Sequence, residues 1–169
     1  MTLAHIVQVV IYVAIIVASA KPLGTYLANL YEGRRTFLHP LLGRAEQRVY
    51  RVSGIDAERE QDWKQYAVAL LGFNLVGFLL LYSLLRLQGW LPLNPEGLPG
   101  LKPGLAFNTA VSFTSNTNWQ SYGGETTMSY LSQMVGLTFQ NFVSAAVGMA
   151  VLAALCRGLA RHSAATIGD

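Results

Sequence analysis

Charge is what this chain has least of. Of its 169 residues only 12% are Asp, Glu, Lys or Arg, whereas 52% are hydrophobic. An ordinary soluble domain carries about 25% charged residues, so the shortage argues for a protein whose solvent is lipid. Cysteine is nearly absent as well. Cys156 stands alone in an apolar run, which excludes a disulfide within the chain and leaves it the role of a small hydrophobic side chain. His5, His39 and His162 are isolated, and none has a metal-ligand spacing, so no transition-metal site is expected. No catalytic constellation is found. The chain lacks a GxxxxGKS/T phosphate loop and an Asp-Lys-Thr-Gly-Thr phosphorylation motif, so no ATP-hydrolysing site is expected on it. No basic patch is interleaved with aromatic residues, which argues against nucleic acid as a partner.

What is present is long apolar sequence. Leu3 to Ala20 carries no formal charge. At 1.5 Å per residue it makes roughly 27 Å of helix, close to the hydrocarbon thickness of about 30 Å. A first transmembrane helix is therefore expected over 1–21, with His5 near the membrane edge. Ala18-Ser19-Ala20 has the look of a signal cleavage site, but no basic residue precedes the run and the run is long for a signal. The uncleaved helix is the reading preferred.

Between Lys21 and Lys64 lie eight of the twelve basic and six of the nine acidic residues. A solvated loop over 22–64, with a short helix lying at the membrane surface, accounts for them; a subunit contact is the rival. Leu38, Leu41, Leu42 and Val49 supply an apolar face, and Pro40 and Gly54 interrupt any continuous helix. Asp56 is a candidate cap for a helical start running through Trp63. Ala67 to Leu85 forms the centre of a second span, expected over 65–87. Trp63, Tyr66 and Trp90 flank it at the two ends, where aromatic rings suit a bilayer interface. Asn74 is its one amide, expected to bond a neighbouring helix.

Gln88 to Gly104 holds four of the six prolines and reads as a linker. It is poor in basic residues compared with 22–64. The positive-inside rule then puts the 22–64 loop in the cytoplasm and the linker and N-terminus outside. Residues 105–114 are apolar but make only about 15 Å of helix, too short to cross a bilayer. They are read as a half-helix, followed by a polar loop at 115–120, a third span over 128–159 and a cytoplasmic tail at 160–169. The expected fold class is thus an all-α membrane protein: one N-terminal spanning helix, then one membrane–pore-loop–membrane repeat over 65–159.

The loop after the half-helix carries the chemistry. Polar backbone between apolar helices is costly in lipid unless it lines protein or water. Backbone carbonyls replace the water shell of a dehydrated cation, and an extended strand presents several in a row. Ser115, Asn116, Thr117 and Asn118 suit such a strand, and Thr117 adds a hydroxyl. Trp119 is expected to wedge the loop against helices and Gln120 to tie it to its neighbours. Glu125, at the outer mouth, would concentrate cations. The half-helix aims its partly negative C-terminal end at the same place. An ordinary external turn is the bland alternative. The last span is polar for a membrane helix. Gln133, Gln140, Asn141 and Ser144 fall mostly on one helical flank, for helix–helix bonding or for lining a cation path. Gly136 and Gly148 are expected to permit close helix approach.

Asn108 to Phe113, followed by Thr114-Ser115-Asn116-Thr117-Asn118-Trp119-Gln120, resembles the first pore loop of the potassium-binding A subunit of Kdp-type potassium-transporting ATPases. Asp62 to Tyr66, Phe73-Asn74 and Gly136 to Asn141 resemble the same subunit, so the likeness runs along essentially the whole chain as an N-terminal portion of that family. The resemblance implies membership of the superfamily of potassium transporters, where four membrane–pore–membrane repeats surround one selectivity filter. It implies potassium as the transported ion, with Ser115, Asn116, Thr117 and Asn118 as one repeat's share of the filter and Gln120 beside it. It also implies partners in a bacterial inner membrane: a P-type catalytic B subunit that holds ATP and magnesium, a C subunit, a small single-span subunit and the remainder of the A subunit. One departure stands out. The loop lacks the filter glycine of other repeats, and Gly123 and Gly124 come too late to replace it. Two alternatives follow from a single repeat: a passive tetrameric channel with one repeat per chain, or a membrane fragment that packs without transporting.

Overall fold

The computed structural model describes residues 3–56 and 59–160, and every regular element in them is a helix. The chain divides into two compact units, Met1–Ala57 and Glu58–Asp169.

In the first unit, helix α1 (Leu3–Tyr31) runs on through Lys21 and Pro22, well past the apolar stretch. Hydropathy stops at Ala20, but nothing in the backbone forces the helix to stop there. Pro22 removes one helical bond, the one its own N–H would have made. Helix α2 (His39–Ser53) has Pro40 in its first turn, where a missing N–H costs nothing, and Gly54 closes it at φ 66° with its N–H on the Tyr50 carbonyl. Proline and glycine therefore bound this helix rather than interrupt it. Tyr26 and Phe37 pack with ring centroids 5.3 Å apart, tying the end of α1 to the approach to α2.

The second unit opens with α3 (Trp63–Leu87). Its cap is Asp62, not Asp56. The Asp62 carboxylate accepts from the N–H groups of Lys64 and Gln65, both at 2.8 Å, and the Gln65 side chain accepts from the Asp62 N–H. A cap must sit against the first turn, and Asp56 lies too far upstream. Asn74 donates to the Leu70 carbonyl of its own helix at 2.8 Å instead of reaching a neighbour. A 3-10 turn (Gln88–Trp90) leads into the linker. Then follow α4 (Pro103–Thr114), the single turn α5 (Gly124–Thr127), a π-helical stretch (Ser132–Thr138) and α6 (Phe139–Ala160). The tail beyond Ala160 lies outside the described residues.

Among the described residues three helical stretches are long and apolar enough to cross a membrane: Leu3–Tyr31, Trp63–Trp90 and Ser132–Ala160. The core of the second unit is small. Leu81 and Leu85 of α3 pack with Leu101, with Ala106, Ala110 and Phe113 of α4, and with Met128 and Leu137. Most apolar side chains on the long helices remain exposed, as lipid-facing surface requires. The linker is pinned to α3 by main-chain approach. The Leu101 N–H donates to the Leu85 carbonyl at 3.1 Å, and the Arg86 guanidinium donates to the Leu101 carbonyl. A Cβ on Gly100 would stand 2.1 Å from the Arg86 carbonyl oxygen, so only glycine fits there.

Candidate functional site

The half-helix α4 begins at Pro103, earlier than its apolar sequence suggested, because proline is preorganised for a first helical turn. It buries Ala106, Thr109, Ala110, Ser112 and Phe113. Its twelve residues span about 18 Å, too short to cross a bilayer.

The loop that follows folds back on the end of this helix. The Ser115 N–H donates to the Val111 carbonyl at 2.9 Å and the Asn116 N–H to the Phe113 carbonyl at 3.4 Å. The N–H groups of Thr117 and Asn118 both donate to the Ser112 carbonyl, at 3.0 and 3.2 Å. The hydroxyls of Thr117 and Ser115 add bonds to that same oxygen at 3.1 and 3.3 Å. All the N–H groups of this stretch therefore point inward. Among the described residues no hydrogen bond is accepted by the backbone carbonyls of Ser115, Asn116, Thr117 or Asn118, and all four residues are exposed.

The expectation of an extended strand is corrected here. Asn116 and Asn118 have φ of 58° and 56°, in the left-handed region, while Ser115 before them has φ −83°. A left-handed residue at every second position turns successive N–H groups to one side of the chain. Carbonyls are left on the other side. Asparagine visits this region far more readily than most residues, which accounts for the missing glycine. Side chains lock the shape. The Asn116 amide oxygen accepts from the Asn118 amide at 3.2 Å and from the Ser144 hydroxyl of α6 at 3.3 Å. The Ser115 and Thr117 hydroxyls lie 3.0 Å apart. The Ser112 hydroxyl donates to the Trp119 carbonyl at 3.1 Å.

Trp119 is 80% exposed. Gln120 is exposed too, and its side chain makes no hydrogen bond within the second unit among the described residues. Glu125 sits exposed in the first turn of α5 and, with Glu96, Asn94, Tyr130 and Gln133, lines an open cleft of about 470 Å³.

The polar residues of the last span divide their work. Gln133 donates to the carbonyls of Gly124 and Met128, at 3.3 and 3.2 Å, and so holds the segment returning from the loop. Gln140 is buried against α3, its amide oxygen 3.3 Å from where a Cβ on Gly77 would stand. Ser144 reaches the loop itself. Asn141 keeps a buried amide oxygen without a partner among the described residues. They do not form one regular flank, because the π-helical stretch between Gln133 and Gln140 shifts the register. The Thr138 hydroxyl bonds the Gln133 carbonyl five residues back, in keeping with that wider turn. Gly136 does allow close approach: a Cβ there would stand 3.1 Å from Leu81 and 3.2 Å from Leu84. Gly148 faces open space and serves no such contact.

One residue was missed from sequence. Gln88 is fully buried and donates to the carbonyls of Pro99 and Thr127, at 2.7 and 2.8 Å. Its oxygen accepts from the Ser129 N–H at 3.2 Å and the Ser132 hydroxyl at 2.9 Å. It ties the linker to the segment returning from the loop. A glutamine at the end of an apolar run, ahead of several prolines, was the available signal. Burial raises the Tyr122 phenol above its ordinary pKa, and its hydroxyl has no partner among the described residues.

Comparison with known proteins adds an independent line. The family model described as KdpA, potassium-transporting ATPase A subunit, matches residues 10–169. The chain is similar to proteins named potassium-transporting ATPase potassium-binding subunit. It is 59% identical to that of Pseudomonas putida over 158 residues, covering 94% of this chain and 28% of the relative. It is 56% identical to that of Granulibacter bethesdensis and 58% identical to that of Methylorubrum extorquens strain PA1, each over 169 residues, all of this chain and 30% of the relative. The chain thus spans less than a third of the length of these relatives.

Proposed function

Because the chain belongs to the family of potassium-transporting ATPase A subunits, we propose that its Ser115–Asn118 loop contributes one wall of a potassium selectivity filter in an ATP-driven uptake complex. The carrying observation is the row of backbone carbonyls at Ser115, Asn116, Thr117 and Asn118 that accept no hydrogen bond among the described residues, at the end of a helix too short to cross a bilayer. Neutral oxygens left free on one side of a chain are the groups that replace the hydration shell of potassium. The fit extends to charge. No basic side chain lies between Lys102 and Arg157, whereas Glu125 stands near the loop.

In this reading the loop lies towards the outside, with 22–64 and the chain beyond α6 in the cytoplasm of a bacterial inner membrane. One repeat does not close a filter, so the remainder of the A subunit supplies the other walls. Hydrolysis of ATP with magnesium belongs to a P-type B subunit, accompanied by a C subunit and a small single-span subunit. Gln120 lies beside the filter, and Glu125 marks the outer mouth.

The test is potassium-stimulated ATP hydrolysis by the assembled complex containing the full-length subunit. Gln120→Arg puts a fixed cation next to the carbonyl row and raises the potassium KM at least about tenfold, a change of about 1.4 kcal/mol. An unchanged KM in a complex assembled to the normal level removes Gln120 from the filter. If potassium fails to stimulate the wild-type complex at all, the filter reading itself falls.

A further inference from the structure

We propose that α2 is a lipid-binding element, whose arginines take anionic phospholipid headgroups while its apolar stripe enters the boundary between headgroups and acyl chains. Arg44, Arg48 and Arg51 recur at intervals of four and three, and so form one stripe along the helix. At 100° per residue, Leu41, Val52, Val49 and Leu42 occupy the adjoining arc. These apolar side chains are exposed: Leu41 by 74% and Val52 by 88%. The one acidic residue of the helix lies away from the arginines. Glu46 accepts a hydrogen bond from the Tyr50 hydroxyl at 2.7 Å, on the third side. Arg44, Arg48 and Arg51 are exposed, and none is ion-paired among the described residues.

Position favours lipid over a soluble partner. α1 spans 29 residues and ends at Tyr31, and α2 starts at His39. The connector is short and ordered. The Arg34 N–H bonds the Asn29 carbonyl at 2.8 Å, and Phe37 packs on Tyr26. Seven residues reach no further than about 25 Å. Phe37 meets Tyr26 only six residues, about 9 Å of helix, beyond the apolar run that ends at Ala20, so α2 begins within about 20 Å of the surface at which α1 leaves the bilayer. A basic stripe beside an apolar one, held at that depth, matches an anionic leaflet in both charge and hydropathy. Each arginine near such a surface strengthens binding about fivefold.

The readout is depth, so the outcome is independent of whether the loop binds potassium. Val52→Cys is labelled with bimane in the assembled complex, with Cys156→Ser and other accessible cysteines replaced. The complex is reconstituted in phosphatidylcholine vesicles, with or without phosphatidylglycerol, that carry a nitroxide high on the acyl chain. Quenching is expected in both and is several-fold stronger with phosphatidylglycerol. The triple change Arg44→Gln, Arg48→Gln and Arg51→Gln abolishes that gain, and the triple change to Lys retains it. A label that is never quenched shows that protein or water covers the stripe and overturns the proposal. Quenching indifferent to phosphatidylglycerol, or equal in the Gln and wild-type forms, overturns the headgroup assignment.

Discussion

Two asparagines hold backbone of a kind that usually falls to glycine. Asn116 and Asn118 hold left-handed backbone, and their side chains bond each other and Ser144. A β-branched residue has neither property. Asn118→Val forces strain of about 1–2 kcal/mol into the loop and lowers potassium affinity, whereas Asn118→Gly keeps the backbone and loses only the amide bond. Potassium titration of ATP hydrolysis separates the two. Gln88→Leu tests another residue. It leaves buried carbonyls and donors without partners, and it is expected to lower the melting temperature of the assembled complex through a loss of about 2–4 kcal/mol. Its absence from the sequence reading has a physical cause. A glutamine announces hydrogen-bonding capacity, but its partners lie 11 to 44 residues away, and only folding brings them together. That Ser115 to Asn118 form a loop was legible, because a polar run between apolar helices is costly wherever it lies. Their backbone shape was not, since it depends on which donors the end of α4 captures.

Among elements, the long apolar helices were readable from hydropathy, and α4 as a short apolar one. Their ends were less so, because helices cross composition boundaries: α1 continues through Lys21 and Pro22. The π-helical stretch was hidden for a related reason. A stripe assigned at 3.6 residues per turn assumes unbroken register, and Ser132–Thr138 breaks it. Glycine spacing overpredicted contact for the same helix. Gly136 and Gly148 look alike in sequence, yet only Gly136 meets α3. Gly136→Val is therefore expected to push the π stretch from Leu81 and Leu84 and to destabilise the complex by about 1–3 kcal/mol. Gly148→Ala is expected to leave the melting temperature and the potassium KM unchanged. Equal effects of the two in a thermal melt would contradict the packing described.

For the whole molecule, most long apolar side chains are exposed, and Trp119 and Gln120 are exposed as well. Such a surface needs lipid and further protein around it. The purified chain reconstituted alone is expected to pass no potassium into liposomes, and uptake is expected to need ATP with the complete set of subunits. Flux through the chain alone would favour a passive channel made of four copies.

One oxygen receives an unusual share of the bonds. The Ser112 carbonyl takes the N–H groups of Thr117 and Asn118 and the hydroxyls of Thr117 and Ser115. The loop therefore hangs chiefly on the tip of α4. Tilting that tip would carry the carbonyls of Ser115 to Asn118 together, so on the proposed reading they would grip or let go as one piece rather than oxygen by oxygen.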